Sequence, residues 1–345
     1  RMLNRKTIHL AVLLQLVIVT ATIAQKLPSI VPNQSGTTKN NNTPRVQNSG
    51  TVRPASAQQP AVEQPTAQKS IKAPSFIPLS AAHQTYINKV LEYWQNKTAK
   101  VDRYRCKFER WQFDTVFGPQ NTFKTYSTGL IRYADPDKGM FKVEKVLSYQ
   151  APRSPQEKPR HIAIEGVHGE WWVCDGKSVF EYDFTNERLI QQILPAELQG
   201  KAIKNGPLPF LFGADAAEIK QRYWLQVITP SNVKDAVWLE AFPKSQADAA
   251  NYLKVHIIID RRDFLPKGIV IFDRNFVKGK NHSRTVFNFR DREENFNTTF
   301  EALRIWEKNF YEPSLPSGWK KVVNAAPTRQ QRQANQSGQQ TPLNR

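Results

Sequence analysis

Short runs in which apolar and polar residues alternate, each closed by a turn signal, succeed one another through most of the chain, and this constrains the fold most. In "YRCKFERWQFD", Tyr104, Cys106 and Phe108 alternate with Arg105, Lys107 and Glu109, the period of a half-buried strand. The aromatic phase slips at Trp111 and Phe113, which predicts a bulge there. "TYSTGLIRY" then meets "ADPDKG" and leads into "MFKVEKV"; "HIAIEGV", "EWWV", "SVFEYD" and "RLIQQIL" follow. After an interruption come "YWLQVI", "AVWLEAF", "YLKVHIIID", "KGIVIFD" and "RTVFNFRD". The links between neighbouring runs are too short to return a parallel strand, so the expected class is mainly β with an antiparallel sheet.

"WWVCDGKSVFEYD" (171–183) shows the pattern most clearly. Taking Asp175-Gly176 as a two-residue turn pairs Val173 with Ser178, Trp172 with Val179 and Trp171 with Phe180. Trp171, Val173, Phe180 and Tyr182 then share one face, the expected interior, and Trp172, Val179, Glu170 and Glu181 take the other. Glu170 and Glu181 oppose each other in this register, an unfavourable pairing.

Two segments break the strand pattern. From Ser80, a potential cap, Ile87, Val90, Leu91, Trp94 and Val101 share a helical face, with Thr98 between. "GPLPFLFGADAAEIKQRY" is broken by proline and then helix-like, with Asp215 and Glu218 spaced as a capping box. The aromatic content exceeds what one face of a flat sheet uses. The expected architecture is therefore a highly curved antiparallel sheet, an incomplete barrel, around one long N-terminal helix and a short inserted helical segment.

The ends have other characters. Arg1, Arg5 and Lys6 precede the apolar run "IHLAVLLQLVIVTATIA" (8–24), which reads as a signal peptide, residues 1–24, cut before Gln25. The run is near the lower limit for a membrane span of about 17 to 25 residues, so an N-terminal membrane anchor is the alternative. Residues 25–79 and 324–345 are rich in Gln, Asn, Ser and Pro, a composition that buries too little apolar surface to offset chain entropy. The folded domain is thus expected at 80–323, exported to the periplasm or cell envelope. Of the formal charge of +19, residues 1–79 carry +8, 80–325 carry +8 and 326–345 carry +3. Much of the excess lies in the ends, and no groove-entering or stacking motif accompanies it, so a nucleic-acid partner is not expected.

Chemistry-bearing motifs are scarce. There is no GxSxG elbow, HExxH helix, GxGxxG or P-loop. His161, His168, His256 and His282 are dispersed; His168 reads as a turn residue and His256 as a strand residue. Asp135 and Asp137 in "DPDKG" read as turn chemistry, and "DREEN" (291–295) as a charged turn. Cys106 and Cys174 are too far apart in sequence for a CxxC motif and form either a disulfide or two packed thiols. Neither an enzyme, a cofactor nor a metal site is expected.

The wording of the runs resembles a known superfamily. "GLIRYADP" (129–136), "FKV" (141–143), "WVCDGKSVFEYD" (172–183), "PLPFLFG" (207–213), "YLKV" (252–255), "IDRRDFLP" (259–266) and "PSGWKKV" (316–322) follow one another as in the periplasmic lipoprotein-carrier (LolA/LolB-like) superfamily, and are similar to secreted planctomycete-type proteins in it. The resemblance implies an incomplete barrel around helices and a cavity for an apolar ligand. It departs at Asp135, before Pro136, where the carrier has an arginine that holds a helical lid; that clasp does not carry over. The residues of successive strands expected to line the cavity are Phe108, Phe141, Trp171, Phe180, Tyr182, Trp238, Phe272 and Phe287. Two functions follow as expectations. One is a non-enzymatic carrier or sensor whose partner is a lipid or lipidated protein, touching membranes only through its leader or ligand. The other is a structural or protein-interaction domain whose barrel is filled by its own side chains, tethered by the leader and docking an envelope protein.

Overall fold

The alternating runs become thirteen strands of one sheet in the computed structural model, which describes residues 71–154, 156–164, 166, 169–200, 210, 215–296 and 309–324. The expected signal peptide, most of the linker, the tail, His168 and "PLPFLFG" apart from Phe210 lie outside the described residues. No helix among the described residues is long and apolar enough to cross a membrane.

The long helix α1 spans Ala81–Thr98, and the Ser80 hydroxyl caps it by accepting from the His83 N–H. Ile87, Val90, Leu91, Trp94 and Thr98 form its buried face, and Val101 is buried just past its end. The strands are β1 (Arg103–Phe113), β2 (Thr125–Ala134), β3 (Lys138–Gln150), β4 (Arg160–Ile162), β5 (Trp171–Cys174), β6 (Ser178–Asp183) and β7 (Arg188–Ile193). Helix α2 (Ala216–Arg222), capped by Asp215, precedes β8 (Tyr223–Val227) and β9 (Ala236–Pro243). Helix α3 (Gln246–Ala249) is followed by β10 (Tyr252–Asp260), β11 (Pro266–Asp273), β12 (Arg284–Glu294) and β13 (Lys320–Asn324).

The sheet runs β13-β7-β6-β5-β3-β2-β1-β12-β11-β10-β9-β8, with β4 paired to β3 off this path. It is open: β13 and β8 form its two edges. Twelve strands in a row would span roughly 50 Å if flat, whereas a helix with its side chains is only about 10–12 Å across. Yet one core cluster joins α1 to side chains from β6, on one side, through to β8 on the other. Burying so broad a face with so little helix requires the sheet to curl. The incomplete barrel is therefore a consequence of too many strands sharing one core.

Five sequence expectations need correction. The β1 register with β12 is regular through Trp111 and Phe113, and the irregularity falls between Arg105 and Lys107. β13 pairs with β7 in parallel, so the sheet is not wholly antiparallel. "DREEN" is no turn; Asp291–Glu294 continue β12, with Asp291 at φ 50°. The 171–183 hairpin forms, but with Val173 opposite Phe180 and Cys174 opposite Val179. Its turn is longer because the Asp175 carboxylate accepts from the N–H groups of both Lys177 and Ser178, with Gly176 at φ 89°.

The face assignment of that hairpin is also reversed. Trp172, Cys174 and Val179 belong to the main core. Trp171, Val173, Phe180 and Tyr182 form a second cluster on the opposite, convex side with Met140 and Leu189, covered by Phe310, Tyr311 and Trp319. Both faces of the hairpin are apolar because a segment more than a hundred residues away folds back over the outer one.

Candidate functional site

Along β1 the concave side takes Tyr104, Cys106, Phe108 and then Arg110. The change of aromatic phase at Trp111 marks this position: the rings move outward and an arginine occupies the inner place. Arg110 is only 4% exposed. Its Nε donates to Ser127 Oγ (2.9 Å) and its Nη1 to Glu170 Oε2 (2.7 Å). The guanidinium carbon lies 5.9 Å from the ring centroids of both Phe141 and Phe287, within cation–π range.

The rings form a continuous layer. Phe108 stacks on Phe141 (4.7 Å), Phe141 on Trp172 (5.7 Å), Phe108 meets Phe287 at 5.9 Å, and Phe287 stacks on Phe289 (6.0 Å). Gly129 permits this, since a Cβ there would lie 2.7 Å from Phe108 Cζ and 2.0 Å from the Lys142 carbonyl oxygen. On the helix side of the same core, the indole N–H of Trp94 is buried without a hydrogen-bond partner.

A second carboxyl joins the cluster. Glu181 stands opposite Trp172 in the β5–β6 pairing, hence on the concave face. Burial pushes its carboxyl up to about 7, with the charges of Asp183 and Glu170 acting in the same direction. Glu170 is bonded to Arg110, while Glu181 is the carboxyl that burial shifts toward neutral pH. The arrangement is a buried aromatic layer ending at a polar group of Arg110, Ser127, Glu170 and Glu181. No cluster of metal-ligating side chains occurs among the described residues.

Of the eight expected lining residues, Phe108, Phe141 and Phe287 belong to the main core. Trp171, Phe180 and Tyr182 lie in the convex cluster. Trp238 alternates with the core residues Val237 and Leu239 and so points to the convex side. Phe272 does likewise beside Ile271, and packs on His256 (4.5 Å) and under the Lys254 ammonium (4.9 Å). That part of the convex face holds its own polar group: Glu240 accepts from Lys254 Nζ (2.5 Å) and pairs with His256 Nε2 (2.9 Å), with Gln226 as a third partner. Cys106 and Cys174 are free and buried, and burial pushes both thiols up to about 12. Of the two alternatives for the cysteines, the structure has the packed thiols.

No family model and no curated protein matches the chain. Among solved structures it is similar to an uncharacterized conserved protein from Thermus thermophilus, with 10% identity over 69% of this chain and 99% of that one, at a TM-score of 0.38. It is also similar to a LolA superfamily protein from Nitrosomonas europaea, with 10% identity, coverage of 61% and 94%, and a TM-score of 0.29. A third likeness is to a chain of the Pseudomonas aeruginosa MucA/MucB complex, with 15% identity, coverage of 64% and 60%, and a TM-score of 0.32. LolA-superfamily structures are thus among the matches, while the architecture itself stands on the strand order and the shared core described above.

Proposed function

We propose that this chain is a non-enzymatic cell-envelope protein that receives an apolar or lipidated ligand on the concave face of its sheet, as a carrier or sensor. The observation that carries this reading is Arg110: a guanidinium set at the end of an aromatic layer, where an entirely apolar core would be simpler to build. The apolar part of a ligand would lie along Phe108, Phe141, Trp172 and Phe287, and its polar end would meet Arg110, Glu170 and Glu181. Each buried methylene contributes about 0.8 kcal/mol, enough for an acyl chain to prefer such a surface to water. This agrees with what the sequence resemblance implies, and export to the envelope belongs to the same proposal.

A second reading has its own support. The stacked rings and the buried side chains of α1 fill much of the concave face themselves, which favours a structural or protein-interaction domain with a self-filled barrel. Fluorescent acyl-chain probes offered to the delipidated full chain decide between the two. Saturable binding, weakened by Phe141→Ala or Arg110→Gln, supports the first. Absence of saturable binding supports the second.

A further inference from the structure

We propose that the loops joining β1 to β2 (114–124) and β11 to β12 (274–283) form one docking tip for an anionic lipid bilayer surface. The two loops are bound into a single platform. The Thr115 N–H donates to Ser283 Oγ (3.1 Å), Thr115 Oγ1 donates to Asn281 Oδ1 (3.1 Å), and the His282 N–H donates to Thr115 Oγ1 (2.8 Å). What the platform displays is apolar: Val116 is 65% exposed, Phe117 71% and Val277 50%. These are among the most exposed large apolar side chains described, and they cluster at one end of the sheet.

Local bonding holds them outward. The Asp114 carboxylate accepts from the N–H groups of Val116 and Phe117 (3.1 and 2.9 Å). Val277 is bridged to Asn281 across a tight turn with Gly279 at φ 82°. Basic side chains surround the apolar points: Arg274, Lys278 and Lys280 are exposed and form no ion pair among the described residues. Of the acids at the loop bases, Asp114 pairs with Lys124 (2.6 Å), and Asp273 accepts from the Asn275 N–H (2.8 Å).

Small protruding apolar side chains ringed by unpaired cations match a headgroup layer: the rings and methyls enter the interface while the cations meet anionic lipid. A protein partner would instead be expected to require a groove or a broad flat patch, and these side chains stand on two loop tips. The location adds a functional consequence that rests on the carrier reading. Arg110 lies three residues before β1 ends at Phe113, about 10 Å along the strand. A docked tip therefore brings the polar group at Arg110 close to the bilayer, where an apolar ligand can pass without crossing water.

The test uses the full chain with an environment-sensitive dye on Val277→Cys, the native Cys106 and Cys174 being buried, and a separate control label on Lys100→Cys at the opposite end of β1. The expected result is a blue shift at 277, and none at 100, with vesicles of equimolar phosphatidylglycerol and phosphatidylcholine. In the labelled 277 background, Lys278→Glu with Lys280→Glu is expected to raise the lipid concentration for half-maximal shift roughly tenfold or more. No shift at 277, an equal shift at both positions, or an unchanged midpoint in the charge-reversed protein overturns the proposal. Because acyl-probe uptake is measured separately, a tip that fails to dock in a chain that still binds probe leaves the carrier reading standing.

Discussion

Trp171 and Tyr182 stack face to face across the β5–β6 hairpin, their ring centroids 3.9 Å apart and their planes within 9° of parallel. They do so on the convex side of the sheet. The Tyr182 hydroxyl continues outward, donating to the Ser314 carbonyl oxygen and accepting from the Ser314 N–H (3.1 Å each). One tyrosine thus ties the hairpin to the segment that carries β13.

Loss of that hydroxyl is expected to loosen the segment selectively. Tyr182→Phe keeps the stacking and removes two hydrogen bonds, a cost of about 1–2 kcal/mol. Hydrogen exchange is expected to accelerate at the β13 amides while those of β1 and β2 stay protected. Uniform acceleration across the sheet would mean that the C-terminal segment does not unfold as a separate unit.

Arg110 and Glu170 make a mutually dependent pair. Glu170→Ala leaves a nearly buried guanidinium without its anion, and the expected loss of stability is about 3 kcal/mol. Replacing both, as Arg110→Met with Glu170→Leu, is expected to recover most of the loss, because the desolvation of two charges disappears with the pair. Denaturant unfolding of Arg110→Met, of Glu170→Leu and of the double variant reads this directly. Additive losses would contradict the coupling.

Glu181 gives stability a pH dependence of unusual sign for a carboxylate. Its folded value, about 7, exceeds the ordinary value of 4.5. The folded state therefore binds the extra proton, and stability falls as pH rises from about 4.5 through 7, by an amount on the order of 3 kcal/mol. Glu181→Gln is expected to flatten this part of the profile and to be more stable than the parent at about pH 8. A parent protein whose melting temperature rises steadily across that window, with no effect of the substitution, would refute the assignment.

Glu240 acts in the opposite direction. Burial alone would raise its carboxyl, but hydrogen bonds from His256, Lys254 and Gln226 outweigh that and hold it at about 2. Its contribution is present above the ordinary value of 4.5 and is lost as pH falls through 2. Glu240→Gln is expected to destabilise at about pH 7 and to match the parent near pH 2. Acid titrations of melting temperature for the two proteins distinguish this from a charge with no partner.

The succession of strands was legible because alternation, turn residues and short links all pointed to one architecture, and Ser80 with Ile87, Leu91 and Trp94 marked the helix. Side chains that face a distant segment were not. Trp171, Phe180 and Tyr182 look interior by any local rule, since each is aromatic and in phase with Val173; only the return of residues 309–319 makes their face the outer one. β13 was hidden for a related reason: "KKVVN" has no alternation, and only Val322 is partly buried. Arg110 escaped because an arginine in a strand ordinarily faces water, although the displacement of the aromatic phase at Trp111 was its signature.

Native mass spectrometry of the full chain purified from its native cells tests the central claim most directly. The account predicts a co-purifying mass that disappears on organic extraction and returns, at one defined stoichiometry, when lipid is added back to the parent protein but not to Phe141→Ala. A bare protein that ignores added lipid would contradict it and make the aromatic layer an ordinary core.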